Sequence, residues 1–127
     1  MLARARKNYT AAGSPSNISF VQGKITSIPM NSGIVDCVIS NCVINLVPSS
    51  EKFSVFAEMA RILKPGGRIA LSDILARKPF PEGLRKSIAA YVGCIAGCSP
   101  KEDYEQYLVQ NGFQGISSLP AFSGHVC

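Results

Sequence analysis

The run from Ile34 to Ile39 is apolar at every position except Asp36, and it stops at Ser40-Asn41. A near-continuous apolar run of this length marks a strand covered on both faces, as in a parallel sheet. Ligands of open α/β sheets lie outside the carboxyl ends of the strands, so Cys42, just past this end, faces the expected site.

The surrounding signals agree with that assignment. Leu2 to Ala12 reads as a helix ended by Gly13, and Asn17 to Gln22 as a strand between a Gly-Ser-Pro turn and Gly23. Ser50 can cap a helix with Glu51 in its first turn, and Phe53, Phe56, Ala57, Ala60 and Leu63 then keep helical spacing. Lys64-Pro65-Gly66-Gly67 stops that helix, and Arg68 to Leu75 reads as a further strand. Pro79 and Pro81 open a second long helix with Leu84, Ile88, Tyr91 and Ile95 on one face. Gly93 and Gly97 weaken it by roughly 1 kcal/mol each relative to alanine, which suggests close approach of another element. Ser99-Pro100-Lys101-Glu102 reads as a capping box with proline at the first helical position. Tyr104, Tyr107 and Leu108 form the next apolar stripe, and Asn111-Gly112 ends that helix. Strands alternating with helices predict an α/β fold with a parallel sheet.

A chain of 127 residues holds one domain at most, and an apolar fraction of 46% is enough for a core. The longest run with few charges, Ile34 to Val47, falls short of the roughly 20 residues of a membrane helix. The net charge of +5 is scattered without a basic tract, which argues against nucleic-acid binding. No acidic residue precedes Asp36, a bias compatible either with a mitochondrial presequence or with an ordinary basic helix. Five cysteines are an odd number, which argues against a disulfide framework, and the absence of a Cys-x-x-Cys argues against a zinc site. His125 is the only histidine, which argues against zinc. Reduced thiols in a cytosolic protein are the default, and such a set suits a soft metal or metalloid.

Ser40-Asn41-Cys42-Val43-Ile44-Asn45-Leu46, taken with Gly93-Cys94-Ile95-Ala96-Gly97, resembles the arsenite methyltransferases, enzymes that use S-adenosyl-L-methionine and hold trivalent arsenic on cysteine sulfur. The resemblance runs from Leu2 to about Phe113. It implies a partial doubly wound parallel sheet, a Rossmann-like class I methyltransferase fold lacking its first strands. Residues 1–127 would be the C-terminal portion of that methyltransferase domain, with the family's glycine-rich cofactor loop expected before residue 1. The visible strands would then be the third, fourth and fifth in the order 3-2-1-4-5. Strand 17–22 and strand 34–39 should accordingly be separated by a strand-wide gap or pair directly. The chain by itself is expected to bind S-adenosyl-L-methionine weakly or not at all.

The resemblance also implies the site residues. Cys42 and Cys94 would be the catalytic pair that holds arsenic, which offers its lone pair to the methyl sulfonium. Helical geometry puts Cys94 about 80° from Leu84 and Cys98 only about 40° away, so Cys98 fits a core position better. A third thiolate at Cys98 is the alternative, being one turn beyond Cys94. Cys37 alternates onto the face opposite Asp36 and is expected in the core. Lys24, Ile25, Asn41 and Cys42 would line the cofactor, with Lys24 standing where the family usually has an acidic contact to adenine. Lys64-Pro65-Gly66-Gly67 is structural, and Asp73 is either catalytic or a capping, solvated group. The implied partners are arsenite or its thiol conjugate and a thiol reductant such as glutathione or thioredoxin, with no nucleic acid and no membrane, for a cytoplasmic monomer. Two alternatives stand beside this reading: a methyltransferase for a quinone or sterol, and an inactive remnant that binds arsenic.

Overall fold

The structure is a computed structural model that describes residues 1–76 and 97–118. The helix expected from Pro79, and with it Cys94, lies outside these residues. Its centre is a strand–helix–strand unit: β1 (Val35–Asn41), α2 (Lys52–Ile62) and β2 (Leu63–Ser72). Ahead of it stands α1 (Leu2–Ala11), and after it α3 (Lys101–Gln110). The two strands pair in parallel, Val38 opposite Ile69, Ile39 opposite Ala70, Ser40 opposite Leu71 and Asn41 opposite Ser72. Parallel neighbours need a crossover connection, and α2 supplies it.

Helix α2 ends at Ile62 because Lys64-Pro65-Gly66-Gly67 cannot continue it. The ladder begins at Val35 opposite Leu63, is interrupted, and resumes at Cys37 opposite Arg68. Four residues therefore bulge from β2, and Gly66 takes a φ of +80° that side chains rarely adopt. At Gly67 a Cβ would sit 2.9 Å from the Lys64 carbonyl oxygen, so the bulge closes only on glycine. Lys64 reaches Asp36 at 2.7 Å across the interruption.

Ile44, Val55, Phe56, Met59 and Tyr104 form the core, with Val38, Ile69, Leu71, Tyr107 and Leu108 against it. Phe56 meets Tyr104 edge-on, with ring centroids 5.5 Å apart. The buried stripe of α2 is Lys52, Val55, Phe56, Met59 and Ile62, rotated from the one expected. Phe53 stays 43% exposed at the rim, edge-on to Tyr107.

Several expectations need correction. Among the described residues the sheet is covered on one face only: Val38 packs inward, while Ile39 is 79% exposed. Cys37 shares the side of Ile39 and is exposed, not in the core. Among the described residues, 17–22 join no ladder, and Val21 is 59% exposed, because the one partner β1 has there is β2. Neither helix start uses the expected serine. A 3₁₀ turn at Ser49–Glu51 leads into α2 without a side-chain cap, closed by the Glu51 N–H on the Pro48 carbonyl at 2.9 Å. Pro100 occupies the N-cap position of α3, again without a side-chain cap. By contrast Gly13 and Gly112 follow α1 and α3 as expected, with φ of +81° and +83°.

Arg61 ties the loop before β1 to α2. Its guanidinium donates to the carbonyls of Met30 and Ile28, at 2.9 Å each, and grips Glu58 at 2.8 and 2.9 Å. Glu58 in turn accepts the Ile28 N–H at 2.8 Å. The Arg61 bonds, then the Ile28 N–H, lower the Glu58 carboxyl from the ordinary 4.5 to about 2. A carboxyl depressed in the fold adds stability that is complete above pH 4.5 and lost as pH falls toward 2. Urea midpoints measured across that window should fall more steeply for the native protein than for Glu58→Gln. Equal slopes would show that the clamp contributes nothing.

The segment after residue 96 returns to the sheet, where the Ala76 N–H donates to the Ser99 carbonyl at 3.1 Å and Ala76 bridges Pro100. A Cβ on Gly97 would stand 1.7 Å from the Asn45 carbonyl oxygen. Gly97→Ala should therefore cost about 1–3 kcal/mol through forced backbone displacement. Chemical denaturation checks this, and an unchanged midpoint would contradict the close approach.

Candidate active site

The carboxyl end of the sheet is where the polar side chains gather. The β1 ladder stops at Asn41, yet the Cys42 N–H still donates to the Ser72 carbonyl at 2.8 Å. Cys42 then takes a φ of +53°, uncommon for a residue with a side chain. That conformation turns the chain out of the strand and into the 3₁₀ turn Ile44–Leu46. The Cys42 side chain is half-buried and that of Asn41 is exposed.

Three residues on, Asn45 is 2% exposed and links three segments. Its amide nitrogen donates to the Ile74 carbonyl at 2.8 Å and to the Cys98 sulfur at 3.8 Å, and its oxygen accepts the Tyr104 hydroxyl at 2.9 Å. Burial, reinforced by Asp73, Cys98 and Tyr107, holds the Tyr104 phenol far above its usual range, so it remains a donor. Beside it Lys52 is fully buried, and its Nζ donates to the Ser99 hydroxyl at 2.8 Å and to the Gly97 carbonyl. The same nitrogen lies 5.9 Å from the centre of the Tyr104 ring.

Among the described residues, two polar groups at this edge are without hydrogen-bond partners. Both carboxylate oxygens of Asp73 and the hydroxyl of Ser40 are buried with no hydrogen bond. Ser40 stands opposite Leu71, two residues before Asp73, on the helix-covered side of the sheet. Each such group costs on the order of 1–3 kcal/mol unless something else satisfies it. Burial raises the Asp73 carboxyl above its ordinary value, and the Lys52 charge pulls it back.

Of the residues expected at the site, Asn41 and Cys42 share the strand end. Lys24 and Ile25 line a separate shallow cleft of about 300 Å³ with Leu46, Val47 and Glu51. Cys98 is 2% exposed, in keeping with a core position. Cys94 lies outside the described residues, and among those described no group of three or more His, Cys, Asp or Glu could hold a metal ion. Sequence reasoning missed Lys52 and Tyr104 as members of this polar cluster. A signal for Lys52 existed, since it keeps helical spacing with Val55, Phe56 and Met59 on an otherwise apolar face.

Comparison with known proteins identifies the family of the chain. Residues 1–112 match the family model described as a methyltransferase domain. The arsenite methyltransferase of Halobacterium salinarum is 38% identical over 120 residues, covering 94% of this chain and 30% of that protein. The ubiquinone/menaquinone biosynthesis C-methyltransferase UbiE of Yersinia pestis is 32% identical over 91 residues, covering 72% of this chain and 35% of its own length. Among solved structures, the arsenic(III) S-adenosylmethionine methyltransferase CrArsM of Chlamydomonas reinhardtii superposes with a TM-score of 0.69 at 33% identity, covering 76% of this chain and 32% of that one. The chain thus spans about a third of the length of these relatives. Over that span it belongs to the methyltransferase domain family.

Proposed function

We propose that the protein carrying this chain transfers a methyl group from S-adenosyl-L-methionine to trivalent arsenic held on the thiolates of Cys42 and Cys94. The observation that carries this reading is Cys42 itself, turned out of β1 at the carboxyl end of a parallel sheet. The likeness to arsenite methyltransferases supports the choice of acceptor. A soft metalloid prefers sulfur, and thiolate is the form that binds it.

Asn41 and the Cys42 backbone would hold the cofactor's methionine end, with Lys24 and Ile25 toward its adenine. The unpartnered Asp73 carboxylate and Ser40 hydroxyl favour a polar ligand at this edge. When bound, the cofactor supplies an electrophilic methyl group. The protein's contribution is to hold the arsenic lone pair in line with that methyl, which can lower a barrier by several kcal/mol. The substrate would be arsenite or its thiol conjugate. A reductant such as glutathione or thioredoxin would keep the cysteines as thiols, in a cytoplasmic monomer comprising residues 1–127 as part of its methyltransferase domain. No helix among the described residues is long and apolar enough to cross a membrane.

The likeness to UbiE favours a second reading, methylation of a quinone, for which thiol ligands would be unnecessary. The deciding measurement is methyl transfer from labelled cofactor to arsenite by the full-length protein. Cys42→Ser and Cys94→Ser should each reduce turnover by more than the about 10–100-fold typical of outer-shell changes at a metal site. Cys37→Ser should leave turnover intact. Normal turnover by Cys42→Ser would remove the arsenic reading, and quinone methylation by that variant would establish the rival.

Asp73 provides an independent check. A buried carboxylate without a donor lowers stability, so Asp73→Asn should leave the urea midpoint unchanged or raise it. If Asp73 faces the bound ligands, the same variant should lose methylation by about 10-fold or more. Full activity together with higher stability would make Asp73 a bystander.

A further inference from the structure

The strand end that presents Cys42 is closed by a side chain that the proposed chemistry does not use. We propose that Asn45 is a positioning residue for Cys42: its side-chain amide takes the place of the next rung of the β1–β2 ladder, ending β1 and holding Cys42 in its left-handed conformation. The inference rests on the proposed arsenic site, where Cys42 is a ligand.

The register of the sheet shows which rung is replaced. Asn41 stands opposite Ser72, and the Cys42 N–H donates to the Ser72 carbonyl at 2.8 Å. In a parallel ladder such bonds recur at every second residue of each strand, so the next would run from the Ile44 N–H to the Ile74 carbonyl. That carbonyl accepts the Asn45 side-chain amide instead, at 2.8 Å. A primary amide offers the same N–H donor as a peptide group, on a side chain short enough to act locally. The strand can therefore end without orphaning the Ile74 carbonyl, and the chain turns away at Cys42 with a φ of +53°. A continued strand would instead carry residue 42 onto the helix-covered face, in step with Val38 and Ser40.

The partners of Asn45 fix which way its amide points. The Ile74 carbonyl can only accept, so it meets the nitrogen, which also reaches the Cys98 sulfur at 3.8 Å. The oxygen on the other side accepts the Tyr104 hydroxyl at 2.9 Å. Gly97 closes on the Asn45 backbone, leaving no room there for a Cβ. Asn45 and Tyr104 are 2% and 6% exposed, and a leucine and a phenylalanine would fill the same space without burying polar groups. Apolar packing therefore does not explain the pair. Ile44, fully buried in the core, anchors the turn by packing, which is non-directional. The bonds of Asn45 are directional, and they tie the turn to one carbonyl beyond β2 and one hydroxyl on α3.

The test reads the backbone at residue 42 in the full-length protein by comparing Cys42→Gly with Cys42→Ala. Both lack the thiol, and only glycine takes a left-handed φ without strain. With Asn45 in place, Cys42→Gly should fold more favourably than Cys42→Ala by about 5-fold or more in the equilibrium constant, read from urea midpoints. Combined with Asn45→Leu the order should reverse, since glycine is the worse residue in an extended strand. In Asn45→Leu alone, alkylation of Cys42 by iodoacetamide, mapped by mass spectrometry, should slow by about 5-fold or more. A residue that merely stabilises the fold would lower every midpoint and leave that order and that rate unchanged. If Asn45→Leu shows no cooperative melt, Tyr104→Phe takes its place and should shrink the glycine advantage and slow the alkylation. An undiminished glycine advantage or a native alkylation rate in the folded variant overturns the positioning role, as does the lack of any glycine advantage beside Asn45. Neither readout involves arsenic, so these failures leave the arsenic reading standing. Normal arsenite methylation by Cys42→Ser removes that reading while the strand-end geometry holds.

Discussion

The side chain of Asn45 ties together elements that are far apart in the chain. One amide, 2% exposed, satisfies the Ile74 carbonyl beyond β2, the Tyr104 hydroxyl on α3 and the Cys98 sulfur. In a low-dielectric interior such bonds are strong when complete and costly when one is missing. The network therefore fixes the turn after β1 against β2 and α3 as a unit. Cys42, three residues before Asn45, leaves the strand in a left-handed conformation because both its ends are held: its N–H by Ser72, and the turn after it by Asn45.

Beneath that polar layer the fold rests on one-sided packing. Helices α2 and α3 bury Val38, Ile69 and Leu71 from one side around Phe56 and Tyr104. On the opposite side Ile39 and Cys37 are exposed among the described residues. The division also bears on the candidate site at the sheet's carboxyl edge. There the covered face ends in Ser40 and Asp73, whose polar atoms are buried without partners, instead of in further apolar side chains.

The two ends of the sheet thus differ in kind. At the amino end stand the Lys64–Gly67 bulge and the Glu58–Arg61 clamp, whose charged groups satisfy one another. At the carboxyl end, strand geometry, a left-handed cysteine and two orphaned polar groups converge. Buried polar groups in folded proteins are ordinarily paired, so unpaired ones at a single edge, among the described residues, are what makes that edge the candidate site.

Much of this was legible in the residues alone. The apolar run 34–39, the glycines at 13 and 112 and the Lys-Pro-Gly-Gly stop each follow from local rules, and each holds in the structure. The position of Cys42 past a strand end was equally local, as was the likeness carried by its flanking residues. Other features depend on neighbours that no local pattern names. Residues 17–22 have strand-like composition but no adjacent ladder, and hydrogen bonding between strands is what makes a strand. Cys37 sits in an apolar run yet is exposed, because burial of a strand's second face requires another layer. Ser99 has the sequence of a helix cap, but the amine of Lys52, 47 residues away, takes its hydroxyl. The chain by itself determined the strand–helix–strand order from residue 34 to 72, the stop after α2 and the place of Cys42 just past a strand end. Only the tertiary structure decided which faces are covered and which polar groups meet, because those depend on elements brought together across long stretches of sequence.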